Sequence, residues 1–140
     1  MMISRFLFTG LLGCVALVCT GCADKGPTRY QLSGKVTYQG QPIPAGILYF
    51  DPDLTEGNDG VQGHATIVNG EFDTRKDGGQ GPGGGKYFVR VYAHDGVPAP
   101  ELPMGKPMFP EVTIPVELPL SDGQKDLEIP AQSASSSRIP

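Results

Sequence analysis

The chain has no tryptophan, and its three cysteines, Cys14, Cys19 and Cys22, all fall within the first 22 residues. From Ala23 onward no thiol is left, which excludes a disulfide, a thiolate metal site and a cysteine nucleophile there. In an oxidising compartment that stretch must hold together through its hydrophobic core alone. Imidazoles are almost as scarce, with only His64 and His94. Zinc sites and activated nucleophiles need several converging side chains, and two histidines with a nearby Asp95 offer too few. No serine occurs between Ser33 and Ser121, and Gly-x-Ser-x-Gly is absent. Basic charge is also lacking: 11 Lys and Arg face 15 Asp and Glu, a net charge of −4, with no run of like sign. Nucleic acid and anionic lipid both select a basic surface, so no nucleic-acid partner is expected. A helical pattern is missing too, because 20 glycines and 14 prolines make the chain turn-rich. These gaps leave no catalytic constellation, so neither an enzyme nor a cofactor is expected.

One strongly apolar stretch is present. Phe6 to Val18, thirteen residues, is apolar or small and follows Arg5. It falls short of the roughly 20 residues that a spanning helix needs but suits the hydrophobic region of a signal peptide. Residues 1–21 are therefore read as a cleaved leader. Arg5 leaves with it, taking the basic count from 11 to 10 against 15 acids, a net charge near −5. The leader ends at Cys19-Thr20-Gly21-Cys22, which resembles the lipobox of bacterial lipoproteins. That resemblance implies a signal cut before Cys22, a diacylglyceryl group on its thiol, and acylation, such as palmitate, of the new amine. Cys19 departs from the pattern, which usually has leucine there. Leu11-Leu12-Gly13-Cys14 fits the residue types better, so Cys14 stays open as a rival. It would shorten the hydrophobic stretch to Phe6–Leu12 and leave Val15 to Val18 as an apolar mature N-terminus, so Cys22 is favoured.

One acyl chain anchors marginally, while two or three hold firmly. Ala23, rather than aspartate, follows the cysteine, with Asp24 one place later. The expected location is the cell envelope, on the periplasmic side of the outer membrane. Residues 22–29 form a short tether, and the seven residues Ala23 to Arg29 reach at most about 25 Å. The domain behind them should sit close to the bilayer.

The remainder reads as strands and turns, a single domain over 30–131. In Gln31 to Tyr38, Leu32, Gly34, Val36 and Tyr38 alternate with polar residues, as in a half-buried strand. Gly46 to Phe50 is a continuous apolar run, suited to a strand covered on both faces. Asn69-Gly70 between His64–Val68 and Glu71–Thr74 is a two-residue hairpin signal. It sets Val68 against Glu71, Ile67 against Phe72, Thr66 against Asp73 and His64 against Arg75, with Ala65, Ile67 and Phe72 toward the core. A glycine-rich connection, Gly78 to Gly85, precedes the best strand, Lys86 to His94. Asp95 to Pro110 is punctuated by proline and expected to run extended at the surface. Glu111–Leu118 and Asp126–Ile129 read as a last hairpin, with Pro115 marking an edge. Residues 132–140 form a polar tail. About seven short strands with frequent turns predict an all-β fold, a small antiparallel β-sandwich.

Three segments together resemble the carboxypeptidase regulatory-like domain, a prealbumin-like (transthyretin-like) sandwich. They are Leu32 to Pro44 (LSGKVTYQGQPIP), Asn69-Gly70-Glu71-Phe72, and Pro82 to Val91 (PGGGKYFVRV). The resemblance covers Tyr30 to Ala131 and departs in Pro82-Gly83-Gly84-Gly85, which is longer than the usual Pro-Gly. It implies an accessory module without catalysis. Hydroxyisourate hydrolases share a related fold but end in Tyr-Arg-Gly-Ser, whereas this chain ends Ser-Ser-Ser-Arg-Ile-Pro.

Two surfaces remain as candidates for binding. Asp51, Asp53, Glu56 and Asp59 crowd one loop, and hard oxygens at that density suit calcium, although the spacing is not that of an EF-hand. Phe88, Arg90, Tyr92 and His94 form an outward aromatic and cationic stripe that could hold a glycan or peptide. Set against this, Met104, Met108 and Phe109 are expected to fold over that stripe as a second small core. Gly78 to Lys86 is no phosphate loop, since it ends in Gly-Lys-Tyr and opens a strand. The favoured expectation is an envelope lipoprotein whose sandwich is a structural or protein-interaction module, with the membrane and an envelope protein as partners. Calcium or glycan binding is the alternative.

Overall fold

The computed structural model describes Gly21 and residues 25–131; the rest of the leader, residues 22–24 with Cys22, and the tail from residue 132 lie outside the described residues. The domain is all-β. Its strands are β1 (Leu32–Tyr38), β2 (Gln41–Pro42), β3 (Ala45–Pro52), β4 (Gly63–Val68), β5 (Glu71–Asp73), β6 (Gly85–His94), β7 (Val112–Leu118), β8 (Gly123–Gln124) and β9 (Leu127–Ile129). A single 3-10 turn, Leu54–Glu56, interrupts them. The hydrogen-bonded order is β2-β1-β5-β4-β3-β6-β7, with β8 and β9 also on β1.

The sandwich forms because β1 serves two layers. Its first half pairs with β5, Gly34 facing Phe72, while its second half pairs with β2 and β9. The sheet thereby curls, and a small layer of β2, the end of β1 and β9 closes over the large antiparallel one. Between them lie Leu32, Val36, Leu48, Phe50, Ala65, Ile67, Tyr87, Val89 and Val91, all buried, with Leu127 and Ile129 contributed by β9. Alternation in β6 is complete: Tyr87, Val89, Val91 and Ala93 point in while the residues between them are half-buried. A period of two lets one strand supply four adjacent core positions.

Three expectations need correction. The last two strands are not a hairpin: β7 pairs with β6, while β8 and β9 cross to run parallel to β1. The link is held along β1: the amides of Gln31, just before the strand, and Lys35, within it, donate to the carboxylates of Asp122 and Asp126 at 2.7 and 2.8 Å. The β4–β5 register is as expected for Val68–Glu71 and Ile67–Phe72 but ends there. Asp73 turns the chain by accepting from the Arg75 amide, so His64 faces Gln80 in place of Arg75. The run in β3 is buried on one side only, with Leu48 and Phe50 inside and Ile47 and Tyr49 half-buried outside.

The glycine-rich connection packs closely against the start of the domain. The Tyr30 amide donates to the Pro82 carbonyl at 2.8 Å, and Arg29 donates to the carbonyls of Gln62 and Gly81. A Cβ on Gly81 would run into the Tyr30 carbonyl, so glycine is what permits this approach. Pro115 stands as expected, because β7 has β6 as its one paired neighbour and is an edge.

Candidate functional site

The outward face of β4, β3 and β6 carries the densest set of chemical groups. Register decides its membership: Tyr49 stands opposite both His64 and Arg90, and Asp51 opposite Phe88. The expected stripe Phe88, Arg90, Tyr92 and His94 does share this face. Arg90 sits at its centre. Its guanidinium donates to Asp51 at 2.5 Å, lies 5.0 Å from the centre of the Tyr49 ring, and reaches the Tyr92 hydroxyl at 3.4 Å. Tyr49 and Tyr92 meet edge to face at 5.8 Å, and the Tyr92 hydroxyl donates to Glu111. Gln62 completes the set by donating to Asp51 at 2.5 Å.

Sequence reading assigned Tyr49 to a buried run, set His64 aside as one of two histidines too few for a site, and did not bring in Gln62 or Glu111. Tyr49 carried the one available signal, since it alternates with Leu48 and Phe50. His64 is a structural clamp. Its Nε2 lies 3.1 Å from the Gly78 carbonyl, which only accepts, so that nitrogen carries the proton. The His94 Nδ1 is buried without a partner.

The expected second core over the stripe does not form. The segment after β6 extends the ladder sideways, with the Asp95 amide donating to the Lys106 carbonyl and Met108 to Ala93. Phe109 joins the main core against Tyr38, ring centres 4.5 Å apart, and Met108 stays 42% exposed.

In the acidic loop the carboxylates go separate ways. Asp51 is held by Arg90, Asp53 caps the 3-10 turn by accepting from Thr55, and Glu56 pairs with Lys86 at 2.9 Å. Asp59 is exposed. Asn58 works as a brace, donating to the Gly84 and Lys86 carbonyls. Among the described residues no three His, Cys, Asp or Glu side chains come together as metal ligands.

A hollow of about 580 Å³ lies farther along the same outward face, toward β5 and β1, beside Ser33, Lys35, Glu71, Asp73, Lys76 and Asp126. Its lining mixes both charge signs. Sequence reading missed it because it depends on β5 and β8 meeting across β1. No protein-family model, curated protein or solved structure matches the chain.

The Asp51–Arg90 pair has a measurable consequence. Burial pushes the Asp51 carboxyl up, but hydrogen bonds from Arg90 and Gln62 and the guanidinium charge outweigh it and hold it below the usual carboxylate range. A depressed carboxyl stabilises the fold above its unfolded pKa, about 4, and that stability is lost as pH falls through the lower folded value. Asp51→Asn should therefore flatten the acid limb of a stability-against-pH curve. A double-mutant cycle with Arg90→Met should give a coupling of about 1 kcal/mol for this half-buried pair. Zero coupling in urea melts would remove the pair as a stabilising contact.

Proposed function

We propose that the chain is an envelope lipoprotein, cut after Gly21 and acylated on Cys22, whose sandwich is a non-catalytic structural or protein-interaction module. The observation that carries this reading is Cys19-Thr20-Gly21-Cys22 at the end of a thirteen-residue apolar stretch. Cys22 is also the one thiol such a mature chain keeps, which leaves it no intramolecular disulfide partner. The outer membrane, on its periplasmic side, is the proposed location, and an envelope protein the proposed partner.

Two features support the module reading. The antiparallel sandwich is the architecture that the resemblance to carboxypeptidase regulatory-like domains implies. The polar groups of the outward face are also engaged with one another, Arg90 with Asp51 and Tyr92 with Glu111. Side chains tied up in this way brace a sheet rather than stand ready for a substrate.

Phase partition with a cloud-point detergent tests the anchor. The full-length protein expressed in a bacterium should enter the detergent phase, with a mature mass that starts at Cys22 and carries acyl chains. Cys22→Ser should shift it to the aqueous phase, and Cys14→Ser should change nothing. A mature N-terminus elsewhere, or an unmodified Cys22, would refute the reading. Crosslinking in the native envelope then identifies the partner.

A further inference from the structure

We infer that the end of the sandwich at which the chain enters rests directly on the lipid bilayer, with Leu54 and Leu120 as its contact residues. This rests on the anchor proposed above and adds an orientation to it. Among the exposed large apolar side chains of the described residues, Leu54 and Leu120 are the most exposed, at 74% and 72%. Single exposed leucines are ordinary; the place of these two is what matters.

Both flank the start of β6. Leu120 follows β7, whose Leu118 pairs with Gly85, and a Cβ on Gly84 would touch Leu120. Leu54 opens the 3-10 turn, whose cap residue Asp53 donates its amide to the Lys86 carbonyl. The entering chain lies here too, since Pro27 and Thr28 line a hollow with Gly83, Gly84 and Leu120. Arg29 is then fixed to Gly81 and Gln62.

Chain length turns this placement into a distance. Pro27 follows Cys22 by five residues, at most about 18 Å of extended chain. Acyl chains on Cys22 must lie in the hydrocarbon, which places that cysteine at the headgroup level. The hollow lined by Pro27 and Leu120 is thus held within reach of the headgroups; exposed Asp59 lines it too, and nearby Lys86 and Glu56 pair at 2.9 Å. These acids disfavour an anionic surface, so a zwitterionic one suits the apolar side chains at this end. The other end is remote, because the ten residues of β6 span about 33 Å before the arm that carries Val97.

The chain has no tryptophan, so Leu54→Trp, Leu120→Trp and Val97→Trp are single reporters. Each is purified as the acylated protein and reconstituted into phosphatidylcholine vesicles with brominated acyl chains. Reporters at 54 and 120 should shift to the blue and lose emission, while the one at 97 keeps its spectrum. Emission at 54 and 120 equal to that in unbrominated vesicles, on protein shown by mass to be acylated, overturns the contact and leaves the anchor standing. If Cys22 proves unacylated in cells, the mature chain coupled through that thiol to a maleimide lipid gives the same readout. Quenching there supports the contact geometry even as the cellular anchor fails.

Discussion

Gly34→Ala should lower the melting temperature by about 10–20 °C, since forcing a methyl group against fixed backbone costs about 2–3 kcal/mol and each kcal/mol is worth about 4–8 °C in a domain of this size. A Cβ at position 34 would collide with the carbonyl of Lys125 and press on the Phe72 ring. The carbonyl belongs to the link between β8 and β9, whose Lys125 amide donates to the Ser33 carbonyl at 2.9 Å. Neither partner yields easily, because Phe72 is a core residue and the link is tied to β1 on both sides of Gly34. Gly123→Ala is the matched control: it lies in β8, its Cβ would meet nothing within 4 Å, and its φ is ordinary. It should be neutral or slightly stabilising through the unfolded chain. Thermal melts that place Gly34→Ala within error of Gly123→Ala would refute the crossing of β8 and β9 over β1.

That crossing marks the limit of what local patterns reveal. Asn69-Gly70 announces its own hairpin, and the alternation in Lys86 to His94 names its own inward residues, because each signal lies within a few residues of the structure it dictates. The three residues of β9 are too short to show a period. Their partner, β1, lies about 90 positions earlier, at Val36 against Leu127. What selects that pairing is the burial of Leu127 and Ile129 beneath the large sheet, which no local window contains. Ile43 is a similar case. Set between Pro42 and Pro44 it looks like a loop residue, yet it is buried, its amide on the Val36 carbonyl.

The candidate face was half legible for the same reason. Phe88, Arg90, Tyr92 and His94 share a strand, so a period of two groups them. Tyr49 and Asp51 reach Arg90, and His64 reaches Tyr49, only through the β3–β4 and β3–β6 registers. Density of acids in Asp51 to Asp59 misled for the opposite reason: proximity in sequence did not bring the carboxylates together. Asp51 lies one residue before the end of β3 with its side chain on the sheet face, while Asp53 caps the turn that follows. A strand end followed by a turn sends neighbouring side chains in different directions.

Tyr87→Phe should cost about 1–3 kcal/mol, the penalty for stranding partners of a buried hydroxyl, and should also change how the fold responds to alkali. The Tyr87 hydroxyl donates to the Val61 carbonyl at 2.9 Å and accepts from the Gly83 amide at 2.8 Å. It thus joins the two loops at the entry end of the sandwich. Phenylalanine keeps the ring in the core and leaves both backbone groups without that partner. Burial raises the Tyr87 pKa above its ordinary value, with the Gly83 hydrogen bond opposing in part. A raised folded pKa contributes stability that is fully present below the unfolded value of about 10 and is lost as pH rises through the folded one. The wild-type chain should therefore lose stability above about pH 10, with Tyr92, raised by its hydrogen bond to Glu111, adding in the same direction. Tyr87→Phe should start lower at neutral pH but fall less steeply, and adding Tyr92→Phe should flatten the tyrosine part of the curve. Urea melts at a series of pH values separate the two effects. An alkaline slope unchanged by Tyr87→Phe would mean that the hydroxyl ionises as freely in the fold as in the unfolded chain, and that the two loops are joined by something else.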